Sequence, residues 1–322
     1  ELASWELITV RPDDQVGEAL VLMQRHGVHR VVVQDDGKIL GLLESLDLFG
    51  FLSNHSMLID RRLRAATDLD ALARAATQMN DMIRRQYRGG TRVELLARLV
   101  QDLNGRLFEQ AWQLIAPPEL VQNSCLLVMG SEGRGEQLLK TDQDNALLLR
   151  DGYVPPDDLP AICARFSEAL ARFGYPPCPG HVMLSNATWR GTVQDFARRV
   201  RKWLVLPEAD SMINLAVFMD AHAVCGDAEL LASLRRQVFG MLADDDAMMS
   251  RFAAVVDAFG DGTRWWRRML GGGEANLNVK KAGMFPLVHG VRSMALAERI
   301  DATSTEARIR ALHEAGALDA ET

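Results

Sequence analysis

Gly130-Ser131 and Asp142-Gln143-Asp144 are the residues whose types and order point to chemistry; they lie in MGSEGRGEQLLKTDQDNALLL, residues 129–149. An apolar run, CLLVM, leads into the Gly-Ser pair. Small residues there let a phosphate come close to backbone N–H groups. Asp142 follows Ser131 by eleven residues and, with Asp144, opens an apolar strand. Side chains two apart on a strand share a face, so the two carboxylates project together. Like charges held that close repel unless a cation sits between them. Magnesium suits such a pair, because it takes carboxylates together with substrate phosphate oxygens. An Asp taken singly reads as a turn residue; the ordered set predicts a nucleotide-phosphate and metal site, with Asp142 and Asp144 as the metal ligands.

The elements that must hold these residues follow from periodicity. Residues 7–50 read as strand, helix, strand, strand, helix, with Val16, Ala19, Leu20 and Met23 at helical spacing and a hairpin turn at Asp36-Gly37. Between 57 and 115, Leu69, Leu72, Ala76, Met79 and Ile83 mark one helix and Leu96, Leu99, Leu103 and Leu107 another. Gly89-Gly90 separates them, and Pro117-Pro118 ends the pair. Strands are expected at CLLVM, NALLLR and HVMLSN, and a helix over 158–173; from Val193 onward the pattern reads as almost wholly helical. The fold class expected is α+β, with domains over 1–56, 57–180 and 181–322.

The segment GSEGRGEQLLKTDQDNAL resembles the nucleotidyltransferase signature of the DNA polymerase β superfamily. More narrowly, it resembles the DUF294 nucleotidyltransferases, relatives of the PII-protein uridylyltransferases. The resemblance implies Mg2+-dependent transfer from a nucleoside triphosphate to an acceptor hydroxyl, with Asp142 and Asp144 catalytic. It also implies nucleotide contacts from Gly130, Ser131, Arg134 and Gln137, the last two within a GSxGRxEQ pattern. By analogy with the uridylyltransferases, the acceptor is a tyrosine on a partner protein. Members of the superfamily add a third carboxylate on a later strand. HVMLSN offers none, so Asp220, in VFMDAHAVCGD, is the candidate third catalytic acid, against a structural pairing role.

The N-terminal ITVRPDDQVGEALVLMQRHGVHRVVVQDDGKILG and the following ESLDLFGF resemble a CBS repeat. That resemblance implies an adenine nucleotide whose ribose meets Asp47, although Glu44 stands where Thr or Ser is usual. CBS repeats work in pairs. With one repeat here, the second is expected upstream of Glu1 or in a second copy, as a homodimer. The C-terminal blocks, SNATWRGTVQDFARRVRKWL through LNVKKAGMFPLVHGVRSMALAERIDATSTEARIRALHEAGAL, resemble the DUF294 substrate-binding region, with Asn278 where an Asp is usual.

Other groups read as ordinary structure. Lys280-Lys281 follow a glycine-rich stretch without a Walker pattern, and Trp265-Trp266 diverge on a helix. The seven histidines are scattered. In 322 residues, 36 basic and 43 acidic side chains give a charge of -7, which excludes a global basic field for duplex nucleic acid. No apolar run approaches the ~20 residues a membrane span needs. Four dispersed cysteines without a CxxC pair suggest reduced thiols in a cytoplasmic protein. A chain beginning at Glu1 suggests a piece of a longer protein. Two functions from different classes follow: a nucleotidyltransferase under CBS control, or a signal-transduction protein that senses nucleotide without turning it over. A bare interaction module leaves Asp142 and Asp144 unexplained.

Overall fold

The computed structural model describes residues 7–14, 16–205, 208–242, 252–253 and 284–319. The chain forms two compact units, 1–107 and 108–322. The fold is α+β.

In the first unit, β1 (Thr9–Val10), α1 (Val16–His26), β2 (Arg30–Asp35), β3 (Lys38–Glu44) and α2 (Ser45–Arg64) follow the expected order. The sheet order is β1-β2-β3, with β1 parallel and β3 antiparallel to β2. Asp36 and Gly37 both have positive φ, 43° and 80°, as a two-residue turn matched to strand twist requires. Val10, Ala19, Met23, Val31 and Leu48 form the core.

Helices α3 (Leu69–Arg88) and α4 (Val93–Ile115) are the expected pair. Asp68 caps α3 by accepting from the Ala71 N–H at 2.7 Å. Along α3, Leu72, Ala75, Ala76, Met79, Met82 and Ile83 are buried. On α4, Val100 is buried where Leu99 was expected, alongside Leu96, Leu103 and Leu107. The turn between these helices receives α1: the Gly17 N–H donates to Gly89 O at 2.7 Å, and a Cβ at Gly17 would overlap the Gly90 carbonyl.

The second unit holds α5 (Pro118–Gln122), β4 (Ser124–Val128), α6 (Gly130–Gly133), β5 (Asn145–Leu149), α7 (Leu159–Arg172), β6 (Arg190–Thr192), α8 (Val193–Val205), α9 (Ala209–Phe218), β7 (His222–Gly226), α10 (Ala228–Leu242), α11 (Phe285–Ala297) and α12 (Thr305–Glu314). The sheet order is β6-β5-β4-β7, with β4 antiparallel to both neighbours and β6 parallel to β5. Every residue of β4 and β5 is buried, as expected for central strands covered on both faces. Cys125, Leu127, Ala146 and Leu148 pack into a core with Trp189, Phe196, Val200, Phe218 and Leu234.

Two expectations are corrected. HVMLSN is a turn, not a strand. His181 has φ of 55°, and Asn145 serves this segment through its backbone N–H to Val182 O and its Oδ1 from Leu184 N–H. The described residues from Val193 onward are almost wholly helical as expected, with one strand, His222–Gly226, added as β7 beside β4. A boundary at 180 cuts through the sheet, because β6 and β7 come from beyond it. Among the described residues, no helix is long and apolar enough to cross a membrane.

Candidate functional site

The site is built where β4 leaves the sheet and β5 enters it. Their pairing ends at Val128–Asn145, and Met129 N–H then donates to Asp144 O at 2.8 Å. At Gly130 the chain turns with φ of 58°. A Cβ there would lie 2.5 Å from Asp144 Oδ2, so the turn and the carboxylate touch, and any larger residue would displace the carboxylate.

Asp142 and Asp144 lie on the extended lead into β5, which begins at Asn145. Gln143, between them, points the other way: its Nε2 donates to Ser167 O at 2.9 Å and Tyr175 O at 3.0 Å. This alternation turns the two aspartates to the same cleft as Gly130, Ser131, Arg134 and Thr141. Ser131 Oγ lies 3.5 Å from Thr141 Oγ1, across the ten-residue spacer. Behind Asp144, the buried Cys178 thiol donates to its carboxylate; burial and then the charge of Asp144 push that thiol up, so it stays protonated.

The donor set is hard oxygen: two carboxylates with two hydroxyls beside them. It fits magnesium, which accepts one or two protein carboxylates and fills its remaining positions with water and phosphate oxygens. Among the described residues, no group of three or more His, Cys, Asp or Glu side chains is placed to hold a metal. The pair would therefore act as an open site, not a closed cage.

Asp220 lies between α9 and β7, is fully buried and also lines the cleft. Both its oxygens are engaged by guanidinium groups. Arg134 Nη1 donates to Oδ2 at 2.6 Å, Arg292 Nε and Nη2 to Oδ1 and Oδ2 at 3.0 and 2.5 Å, and Arg308 Nη1 to Oδ1 at 2.9 Å. Burial alone would raise its pKa, but Arg292, Arg134 and Arg308 hold it down to about 2. This is the arrangement of a structural pairing residue. As a third metal ligand, Asp220 would have to exchange those bonds for a cation.

Gly133 packs against the Asp220 backbone, and a Cβ there would overlap its carbonyl, which accounts for the second glycine of GSEG. Arg134 also donates to Glu136 Oε2 at 2.7 Å; burial opposes its charge, but Asp220 and Glu136 outweigh that and raise its pKa. Glu136 Oε1 in turn accepts from Thr305 N–H at 2.6 Å, which ties the loop to the start of α12.

Gln137 lies on the other side of the aspartate pair from the main cleft's lining. It is 5% exposed and lines a small cavity with Glu132, Asp142, Gln143, Asp144 and Tyr175, which shares the two aspartates with the main cleft. Asp47 lies on α2, and its side chain falls outside the described residues, as do Lys280, Lys281, Trp265, Trp266 and Asn278. Glu44 pairs with Arg30 at 2.8 Å.

Sequence reading missed Arg292, Arg308 and His289. His289 and Arg292 are three apart on α11, and the sequence signal for that pair was the i, i+3 spacing in HGVR. Nothing local links either arginine to Asp220. The opposite wall of the cleft is apolar, from Ile213, Ala216 and Val217 on α9 and Met284 and Val288 on or beside α11. The cavity volume of the cleft is about 110 Å³.

Comparisons with known families give three matches. Residues 77–210 match the family described as "Putative nucleotidyltransferase DUF294". Residues 246–322 match "Putative nucleotidyltransferase substrate binding domain", and residues 1–54 match "CBS domain". No curated protein matches the chain. The Gly-Ser turn and both aspartates fall inside the first of these matches, and the three in order give the chain the architecture of a CBS domain, a DUF294 nucleotidyltransferase domain and a C-terminal nucleotidyltransferase substrate binding domain.

Proposed function

We propose that the cleft transfers a nucleotidyl group from a nucleoside triphosphate to an acceptor hydroxyl, with magnesium on Asp142 and Asp144. One observation carries this: both carboxylates turn to the same cleft as Gly130 and Ser131, with Asp144 against the turn. The metal, when bound, neutralises phosphate charge and favours departure of pyrophosphate. The chain's own residues do the rest. Asp142 and Asp144 hold the cation beside the turn, and Ser131 and the Gly130 backbone receive the phosphates. Arg134 faces the same space with a planar donor fork. The apolar wall from α9 and α11 takes the base and excludes water. Asp220 acts as the anchor that sets Arg134 at the cleft wall.

The acceptor is a hydroxyl on a partner protein, by analogy with the PII uridylyltransferases, and the CBS domain binds an adenine nucleotide that controls the reaction. Ile39, Leu40 and Leu42 on edge strand β3 are more than half exposed, an apolar surface suited to a second CBS unit, as in a homodimer. The test is incubation of the protein with each labelled triphosphate, magnesium and cell lysate. Label transferred to a protein supports the reading; no transfer with any triphosphate sinks it.

A second reading, nucleotide sensing without turnover, is favoured by one observation. Asp220, the candidate third acid, is saturated by arginines, and β6 brings Arg190, Gly191 and Thr192 alongside β5 with no acid. Under that reading, magnesium and nucleotide raise the melting temperature while no label moves.

A further inference from the structure

The wall of the cleft around Asp220 holds more positive charge than its acids return. Among the described residues, Arg134, Arg292 and Arg308 converge on Asp220, and Glu136 gives Arg134 a second partner. Three cations thus face two carboxylates. Arg235 lies nearby but is paired with Asp301 at 2.8 Å. Asp142 and Asp144, in the same cleft, are offset by the divalent cation proposed for them. A poorly hydrated charge in excess is costly, and an anion entering the cleft supplies its counter-charge.

Arg292, like Arg134, is a member of this cluster that is both fixed and cleft-lining. It is 4% exposed and lines the space that Gly130, Ser131 and Arg134 line. Its Nε and Nη2 grip Asp220 side-on, and its Nη1 donates to His289 Nδ1 at 3.1 Å. His289 Nε2 lies 2.8 Å from Phe252 O, so Nε2 carries the ring proton and Nδ1 is the acceptor for Arg292. Three bonds hold the guanidinium plane, and each terminal nitrogen has a second N–H beyond them. A fork held in advance, in low dielectric, is the arrangement that favours a phosphate oxygen.

We propose that Arg292 is a phosphate ligand of the cleft, with Asp220 and His289 as its positioning residues. The polyphosphate site is then built jointly, by Gly130, Ser131 and Arg134 from the nucleotidyltransferase match and by Arg292 from the region matching the substrate binding domain. That region contributes to the nucleotide as well as to the acceptor. The inference rests on the cleft as a polyphosphate site, but it does not require that transfer occurs.

The experiment uses the full chain with inorganic pyrophosphate and magnesium as probe, read by calorimetry, with thermal melts for each variant. Arg292→Lys keeps a charge on Asp220 and loses the fork. It is expected to keep a melt near wild type, to bind magnesium alone as wild type does, and to lose about tenfold in pyrophosphate affinity. Arg292→Gln removes the charge as well as the fork while Asp220 keeps Arg134 and Arg308 as partners, and it is expected to lose more than Arg292→Lys. Wild type that does not bind pyrophosphate overturns the proposal, and so do variants that bind it as wild type does. Parallel loss of magnesium binding also overturns it, because that marks collapse of the site. Wild type that binds pyrophosphate through Arg292 but never transfers label upholds the proposal and sinks the transfer reading.

Discussion

The α-carbon of Gly130 rests against the carboxylate of Asp144, so closely that a Cβ would meet Oδ2 at 2.5 Å. The turn between β4 and α6 and the lead into β5 are therefore in direct contact, and the Met129 N–H bond to Asp144 O joins them a second time. That contact makes the site sensitive to a single methyl group.

Gly130→Ala is expected to disturb the site more than the fold. The left-handed φ of 58° costs an alanine about 1–2 kcal/mol, and the methyl pushes the Asp144 carboxylate aside. Gly152→Ala is the control, since Gly152 has φ of 81° but nothing near its Cβ position. Both variants should melt at lower temperature. Only Gly130→Ala should lose the stabilisation given by magnesium with nucleotide, measured by thermal shift.

Asp142→Asn keeps size and loses charge. Transfer should fall by at least about 100-fold, because loss of a direct ligand costs no less than loss of its supporting residues. Without magnesium the variant should melt no lower than wild type, since repulsion from Asp144 falls. Label-transfer assays paired with melts, with and without magnesium, check both parts; retained activity would remove Asp142 from the metal site.

Acid should destabilise the second unit through His289. Burial, then the Arg292 charge, lower its pKa from the usual 6.5 to about 4. Between those values the unfolded imidazole binds a proton and the folded one does not. Stability is therefore full above about 6.5 and lost as pH falls toward 4, by up to about 3 kcal/mol. Asp220, held at about 2, adds a further loss as pH falls from the ordinary carboxylate range toward 2. Denaturation midpoints from pH 7.5 to 4 check this: His289→Asn should flatten the slope above pH 4, and an unchanged slope would refute the assignment.

Gly17→Ala probes the seat of α1. Alanine favours helix by up to about 1 kcal/mol, but its methyl would overlap the Gly90 carbonyl, and overpacking of this kind costs about 1–3 kcal/mol. The expected net effect is destabilisation, with faster hydrogen exchange at the Gly17 amide, which donates to Gly89 O. Gly41→Ala, which meets nothing, should leave exchange in α1 unchanged.

The local half of this architecture was legible in the amino-acid order, because helix and strand periods and turn chemistry act over a few residues. The alternation of Asp142, Gln143 and Asp144 put two acids on one face, and Asp36-Gly37 could only turn a hairpin. Apolar spacing set α3 and α4. Tertiary structure decided the partners. Asp220 sits in an apolar block that reads equally as helix end or site acid. It became an arginine anchor because folding brings Arg292 and Arg308, 72 and 88 residues away, onto its two oxygens. His222–Gly226 became a strand because β4 offered a free edge, and HVMLSN did not because it turns at His181 and meets Asn145 through one backbone and one side-chain bond instead of a continuing ladder. Such outcomes depend on which surfaces close on each other, and the free energy of closing them is shared among residues that no local pattern connects.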